Sequence, residues 1–561
     1  MCRPSCARRI GKRGSDEFLV KEKGLCLTRK GQYSIALCFP GPYALGMAHL
    51  GFQSLTRIVW ETPNFWGDRF FTDTGPSSLA FSLPLSAFHI VAFSLSFELD
   101  IFPFLFMLRE GGISLLTGER TERDPFVLVG GPVVTLNPEV VAPFVDCAVI
   151  GEGEAVLPAL FFLWSRLRGE GASKREVKEA LLSLPGVYVP EYCTPRYRGN
   201  VIKGWEIERR VTLPVKRQWR DLEDFETRTF IYTPSSHFKD TALVELNRGC
   251  RYRCRFCAGS CIYSPLRQRS FPLVLRMLNT VCEWSNKVGL VGSDVLSYPA
   301  LEEVIGFLRR RGKKLTISSL SGRDLFEREY LLRLLREGGL ETITLAPESG
   351  DPSVRLFLGK GLANDDWIEL VLECLQKGFR RVKLYFMLGK PRGGVEEDLD
   401  FLRCLVEKIQ SPSRLFVSYS FLVPKPHTFL EDLEVASLDT WKKEKEVFER
   451  ELRKMGIPFS GESPRLSWIE LVLARGDRKI GLCLLELLEG RGFTSLPSWR
   501  KVLARLGRDI EEWPRMPWRE GSKPWGVVHI GVWDSGRSLG SDEWQPAGEN
   551  QEGARNHCLS L

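Results

Sequence analysis

The sequence predicts an α/β protein in two parts: an open parallel sheet of Rossmann-like type, then a partial (β/α)6 barrel of TIM type, with a small mostly helical region after it. Two observations predict this. Short apolar runs alternate with helical stretches along most of the chain, as parallel βα units do. The runs of the first part end in glycines (Gly130-Gly131, Gly151, Gly153), whereas those of the second end in polar or cysteine-bearing segments. In both architectures ligands sit beyond the C-terminal strand ends.

In the first part, residues 33–38 read as a buried strand, followed by a Pro/Gly turn and a helix from Leu45 to Trp60. Further strands are expected at Ile90 to Leu95, Phe126 to Val129 and Cys147 to Ile150, the last leading into a helix from Ala155. A charge-rich connector follows, with short strands near Val187 and Val201. Between Arg196 and Arg220 it mixes Arg and Lys with Tyr197, Trp205 and Trp219. Such a mixture can bind single-stranded nucleic acid or be an ordinary solvated face.

Six strands are expected in the second part: Ala242–Leu246, Val288–Val291, Leu315–Ser318, Thr342–Ala346, Arg381–Met387 and Leu415–Phe421. A helix from Leu438 to Met455 opens the C-terminal region, where Arg475, Asp477 and Arg478 form a salt-bridged turn or touch substrate. The expected divisions are a tail 1–30, the sheet domain 31–165, the connector 166–238, the barrel 239–432, the helical region 433–535 and a disordered tail 536–561.

Bulk properties set limits. At 561 residues, 43% hydrophobic and 26% charged, the chain is ordinary for a globular protein. Its 78 Lys and Arg against 70 Asp and Glu leave +8, too mild to imply nucleic acid. Fifteen scattered cysteines fit a reducing compartment, and a cytoplasmic location is expected. Met1 to Gly14 is rich in arginine with no apolar stretch after it, unlike a secretory signal. The most apolar region, Ser78 to Leu108, is interrupted by Pro84, His89, Glu98, Asp100 and Pro103 and reads as buried strand and helix, not a membrane span.

Three cysteines carry the chemistry. Cys250, Cys254 and Cys257 have the spacing C-x3-C-x2-C directly after the first barrel strand. Three thiolates on one loop can hold three irons of a [4Fe–4S] cluster and leave the fourth open. Zinc prefers four ligands in paired short spacings, and only Cys261 and His237 lie near. With Phe256 just before the last cysteine, the run resembles the signature of the radical S-adenosylmethionine (radical SAM) superfamily, in which the open iron chelates SAM.

The resemblance implies roles for later segments in the same order. Gly292-Ser293-Asp294 would meet the SAM amino group, although Asp294 can also be a helix N-cap. Ser319 and Arg323 would meet ribose or carboxylate. Ala346-Pro347-Glu348-Ser349-Gly350 is similar to the A-P-E-[AS]-G run of the methylthiotransferase-like branch, which gives Glu348 the ribose hydroxyls or the amino group. The turn at Gly389 would pack on adenine, and Lys425 and His427, in a run like P-K-P-x-T, would contact substrate or shape a rigid turn. Arg248, Arg251, Arg253 and Arg255 would offset cluster charge. Cys261 reads as packed, since a fourth thiolate would close the open iron.

The first part resembles the cobalamin-binding-type domain that precedes many such barrels, above all in Val149-Ile150-Gly151-Glu152-Gly153-Glu154. It departs at the D-x-H-x-x-G motif: Met47 stands where aspartate would orient His49, and Gly51 comes one place early. Ligation of cobalt by His49 is therefore disfavoured, and His49 reads as a packed or capping residue, while cobalamin itself stays open. With only Cys38 and Cys147 there, and Cys26 ahead of them, a second cluster for sulfur insertion is not expected. The implied function is reductive cleavage of SAM to a 5′-deoxyadenosyl radical that acts on an unknown substrate, fed by an electron donor such as flavodoxin or ferredoxin. The alternatives are a cobalamin-dependent methyltransferase, an RNA-modifying enzyme, and a non-catalytic iron–sulfur protein.

Overall fold

The structure is a computed structural model that describes residues 21–25, 28–318, 320–391, 393–409, 411–490, 492–515, 518 and 521–531. Ser319, Cys26 and the expected C-terminal tail lie outside the described residues, as does the N-terminal tail up to residue 20.

Six strands build the first sheet: β1 (Tyr33–Cys38), β2 (Phe65–Phe70), β3 (Ile90–Ser94), β4 (Phe126–Gly130), β5 (Cys147–Val149) and β6 (Val187–Tyr188). Their order is β2-β1-β3-β4-β5-β6, all parallel but for the last pair. The chain direction across the sheet therefore switches between β1 and β3, which is where such sheets bind ligands. Sequence reasoning missed β2, because Gly67-Asp68-Arg69 at its centre reads as a polar turn. Both charges are buried on this edge strand, each with partners. Asp68 accepts from the N–H groups of Ala80 and Phe81, at 3.0 and 2.8 Å, and Arg69 pairs with Glu22 at 2.8 Å.

The helix expected from Leu45 to Trp60 is two helices, Tyr43–Met47 and Leu50–Glu61. His49 breaks it: its backbone is extended and its Nδ1 accepts the Phe52 N–H at 3.2 Å, an N-cap. Helices Leu50–Glu61 and Gly153–Gly169 cover one face of the sheet through Val59, Leu160, Phe161 and Trp164. The other face carries Ile101–Glu110 and Pro132–Leu136 and is continuous with the core of the barrel and the C-terminal helices. Phe102 stacks on Phe493 there, ring centres 4.4 Å apart.

All six expected barrel strands form: β7 (Thr241–Glu245), β8 (Lys287–Val291), β9 (Lys314–Ile317), β10 (Thr342–Glu348), β11 (Arg381–Leu388) and β12 (Leu415–Phe421). β7, β8 and β9 pair in parallel, as do β10, β11 and β12, and a parallel bridge between Leu320 and Leu345 joins the two halves. A short strand, Phe459–Gly461, extends the far edge. The barrel is thus partial: on its other side the first strand meets only an antiparallel bridge between Val244 and Arg228, with the Thr229 N–H donating to the Leu243 carbonyl at 2.9 Å.

Four helices follow: Leu438–Lys454, Pro464–Ala474, Arg478–Glu489 and Leu496–Arg505. The charged turn between the second and third is a seam. Asp477 caps the third helix through the Ile480 N–H (3.1 Å) and pairs with Arg508 at 2.5 Å, while Arg478 pairs with Glu139 of the first part at 2.9 Å. Among the described residues no helix is long and apolar enough to cross a membrane.

Candidate active site

The cysteine loop leaves β7 and is closed by Asn247–Arg248 pairing antiparallel with Arg267–Gln268. Gly249 turns it with φ +85°; a Cβ there would lie 2.6 Å from the Pro265 carbonyl oxygen and 2.8 Å from that of Tyr263, so only glycine fits. Arg253 also takes a left-handed backbone, φ +48°. The Cys257 N–H donates to the Cys254 carbonyl at 3.0 Å, and Cys257 heads the short helix Ala258–Ile262. The three thiols are half-buried and open on one cavity of about 690 Å³ at the C-terminal strand ends. Cys261 is buried in the core and does not line it. Burial pushes the Cys250 thiol up, and the Cys254 thiol to about 11 against the pull of Lys360. Thiols of this kind become thiolates when a metal holds them. Among the described residues no three His, Cys, Asp or Glu side chains gather closely enough for a single metal ion. Cluster thiolates each bind a separate iron and stand further apart than the ligands of one ion.

The expected site residues Phe256, Gly292, Ser293, Asp294, Arg323 and Glu348 line the same cavity. Asn247 fixes the second segment: its Nδ2 donates to the Asp294 carbonyl at 2.7 Å and its Oδ1 accepts the Asp294 N–H at 3.2 Å. Asp294 heads a short helical turn but its side chain caps nothing. Its carboxylate accepts from Arg251 Nε at 2.9 Å. The other end of Arg251 donates to Asp324 at 2.6 Å, and the Tyr252 hydroxyl donates to the same carboxylate at 2.7 Å. Burial alone would raise the Asp324 carboxyl, but Tyr252, Arg251 and Arg328 outweigh it and hold it below the usual range. Arg323 is half-exposed beside Glu327.

Glu348 ends β10 with a left-handed φ of +68°, a costly conformation for a residue with a side chain. The segment after it is clamped. Asp398 accepts from Ser349 Oγ (2.9 Å), the Gly350 N–H (2.6 Å) and Lys390 Nζ (2.5 Å). The Glu348 carboxylate itself pairs with Lys360 at 3.1 Å.

Some expectations need correcting. Gly389 does not line the cavity; its N–H donates to Glu444 at 2.7 Å, and a Cβ there would collide with the Trp441 ring, so this glycine admits a C-terminal helix, not adenine. Arg248 and Arg251 are already neutralised by carboxylates. Arg248 is buried between Glu154 and Glu245, both at 2.8 Å, and Glu152 at 3.1 Å. The Gly-Glu-Gly-Glu run is thereby bolted to the barrel. In the connector, Arg217 is buried with its guanidinium on the carbonyls of Ile530, Ile262 and Ser264.

Lys425 lines the cavity between Glu98 (2.7 Å) and Glu470 (2.5 Å), whereas His427 is buried away from it. Sequence reasoning missed Lys360, Tyr252, Asp324 and these two glutamates. For Lys360 the available signal was its setting between two glycines, Gly359 and Gly361, both with positive φ.

A second cavity, about 590 Å³ and mostly apolar, lies between the two parts. Leu37 and Cys38 of β1 and Ala92, Phe93 and Ser94 of β3 line it at the switch point, with Gly130, Gly131 and Gly151 beside them. Its far wall is the barrel, and Gly292, Ser293 and Ser318 border both cavities. His49 reaches it with Nδ1 engaged as the cap and Nε2 3.2 Å from Ser96 Oγ. Cys38 and Cys147 are buried on their strands.

A parallel partial barrel with three thiols in one cavity after its first strand, abutted by an open α/β sheet, defines the class: a two-part α/β protein with a thiol-lined barrel site. Two family models match: one described as radical SAM proteins, N-terminal, over residues 51–190, and the radical SAM superfamily over residues 244–403, together more than half of the chain. The chain belongs to the radical SAM superfamily. An uncharacterized protein of Methanocaldococcus jannaschii is 33% identical over 257 residues, 45% of this chain and 56% of that one. An uncharacterized methyltransferase of Pyrococcus horikoshii is 23% identical over 322 residues, 56% of this chain and 63% of that one. The chain thus spans less than two thirds of the length of each. Among solved structures, the cobalamin-dependent radical SAM enzyme OxsB with aqua-cobalamin and SAM bound aligns at 14% identity over 88% of this chain and 79% of its own, TM-score 0.46.

Proposed function

We propose that this chain is a radical SAM enzyme that holds a [4Fe–4S] cluster on Cys250, Cys254 and Cys257 and takes SAM into the same cavity. The observation that carries this is the convergence of three half-buried thiols with Asp294, Glu348 and Arg323 on one 690 Å³ space. The donor set fits: among the described residues three thiols line the cavity and Cys261 does not. When bound, the cluster supplies the electron that cleaves the SAM sulfonium to methionine and a 5′-deoxyadenosyl radical. The chain's own residues do the rest. Asp294 and Glu348 offer acceptors to an ammonium or to hydroxyls, and Arg323 offers a guanidinium to a carboxylate. The electron would come from a small donor of flavodoxin or ferredoxin type.

The test is anaerobic reconstitution with iron and sulfide counted, then assay of methionine and 5′-deoxyadenosine with SAM and reductant. About four irons per chain and both products are expected. Each of Cys250→Ala, Cys254→Ala and Cys257→Ala should abolish product formation. A variant that keeps full iron and turnover would overturn the assignment.

A second reading, that cobalamin occupies the cavity between the two parts, is favoured by that cavity's place at the sheet's switch point and by the wall it shares with the thiol cavity. His49 would not ligate cobalt, since capping the helix commits one ring nitrogen and Ser96 meets the other. Absorption titration with hydroxocobalamin checks this: saturable binding that survives His49→Asn supports it, and absence of binding removes it.

A further inference from the structure

Lys360 lies outside the sequence motif and outside every role assigned so far. It sits on the turn between the helices Pro352–Leu358 and Asn364–Gln376. That turn packs directly on the cysteine loop. The Arg255 N–H donates to the Leu358 carbonyl at 3.2 Å, and the Cys254 thiol lies 3.9 Å from the Gly359 carbonyl oxygen. The ammonium of Lys360 lines the thiol cavity, 3.1 Å from Glu348 and 5.6 Å from the centre of the Phe256 ring. The turn thus sets that ammonium in the cavity the three thiols line, and Glu348 outweighs the burial that would discharge it. A cation held in a partly desolvated site beside two cluster ligands stabilises whichever redox state is more negative. Glu348, 3.1 Å from that cation, offsets part of its field.

We propose that Lys360 is an electrostatic positioning residue: with Glu348 as its counter-charge, it sets the reduction potential of a cluster held by Cys250, Cys254 and Cys257. The inference rests on the cluster reading above. It requires two opposite effects. Removing the lysine charge makes the cluster harder to reduce. Removing the glutamate charge exposes the lysine fully and makes the cluster easier to reduce.

The experiment is a redox titration, followed by electron paramagnetic resonance, of reconstituted wild type, Lys360→Met, Lys360→Arg and Glu348→Gln, without SAM. Iron content is measured on each. Lys360→Met should lower the midpoint potential by about tenfold in the reduction equilibrium, ~59 mV for one electron. Glu348→Gln should raise it, and Lys360→Arg should stay near wild type. A role confined to packing would not move the two charge variants in opposite directions. Equal potentials in Lys360→Met and wild type, with full iron in both, overturn this inference and leave the cluster reading standing. A wild type that takes up no cluster overturns both.

Discussion

The two cavities occupy the same place in two related architectures, the C-terminal ends of parallel strands, and are furnished in opposite ways. The barrel cavity is charged, and nearly every charge there has a partner: Asp294 with Arg251, Glu348 with Lys360, Lys425 with Glu98 and Glu470. The sheet cavity is mostly apolar, shaped by Gly130, Gly131 and Gly151 and by aliphatic and aromatic walls, with its charges gathered at the Arg248 border. Charges taken out of water need partners, and a partnered charge can exchange its partner for a ligand group. An apolar space selects by shape and area. The barrel end is therefore built to hold polar groups in register, and the sheet end to accept a bulky body.

The border between them gives the largest expected effect. Arg248 follows β7, lines the sheet cavity and ties Glu152 and Glu154 of the first part to Glu245 of the barrel. In Arg248→Met three buried carboxylates lose their shared cation, with Arg267 and Arg269 left on Glu152 and Glu245. The expected loss is about 3–5 kcal/mol, read from urea unfolding at neutral pH. A loss below ~1 kcal/mol would mean that the two parts do not depend on this network.

The same contrast decided what could be read from the sequence. The cysteine spacing is local, so the three thiols were legible, and Asp294 and Glu348 followed because each ends a strand in a fixed order. Long-range partners were not legible. Arg248 read as a neighbour of the cluster because two of its three carboxylates, Glu152 and Glu154, lie in the first part. Gly389 read as an adenine contact because Trp441, the ring it admits, comes from a later helix. Lys360 sits in a turn between helices, where no periodicity marks a side chain as buried. β2 was missed because local polarity outweighed what a paired edge strand can bury.

A second seam between the parts turns on a neutral imidazole, and pH tests it. His427 follows β12 and is buried near the Leu136 carbonyl, Glu431, Lys523 and His529; its Nε2 has no partner among the described residues. Burial pushes the imidazole down to about 4, outweighing Glu431 and the carbonyl. The unfolded chain, with a histidine near 6.5, therefore binds a proton over this window that the folded chain refuses. Stability is complete above pH ~6.5 and falls as pH drops toward 4, by up to about 3 kcal/mol from this group. His427→Asn, a residue that tolerates the left-handed backbone here, should flatten that part of the dependence in urea melts at pH 7 and pH 5. An unchanged pH slope would locate the acid sensitivity elsewhere.

The smallest effects separate shape from stability at the sheet cavity. Gly131 has φ +108°, and a Cβ there would lie 2.4 Å from the Leu95 carbonyl oxygen. Gly131→Ala should cost about 1–3 kcal/mol of stability through backbone strain. Its neighbour differs. A Cβ on Gly130 would meet Val149 at 3.5 Å, an ordinary contact. Gly130→Ala should leave stability within about 0.5 kcal/mol of wild type. It nevertheless adds a methyl to the cavity wall, and overpacking a fitted site costs about 1 kcal/mol or more, near tenfold in affinity. Weaker binding of hydroxocobalamin with an unchanged melt is the expected pair of results. Unchanged binding by Gly130→Ala would show that the bulky ligand does not touch this wall, and the place of β4 in the site would be withdrawn while that of β1 and β3 remained.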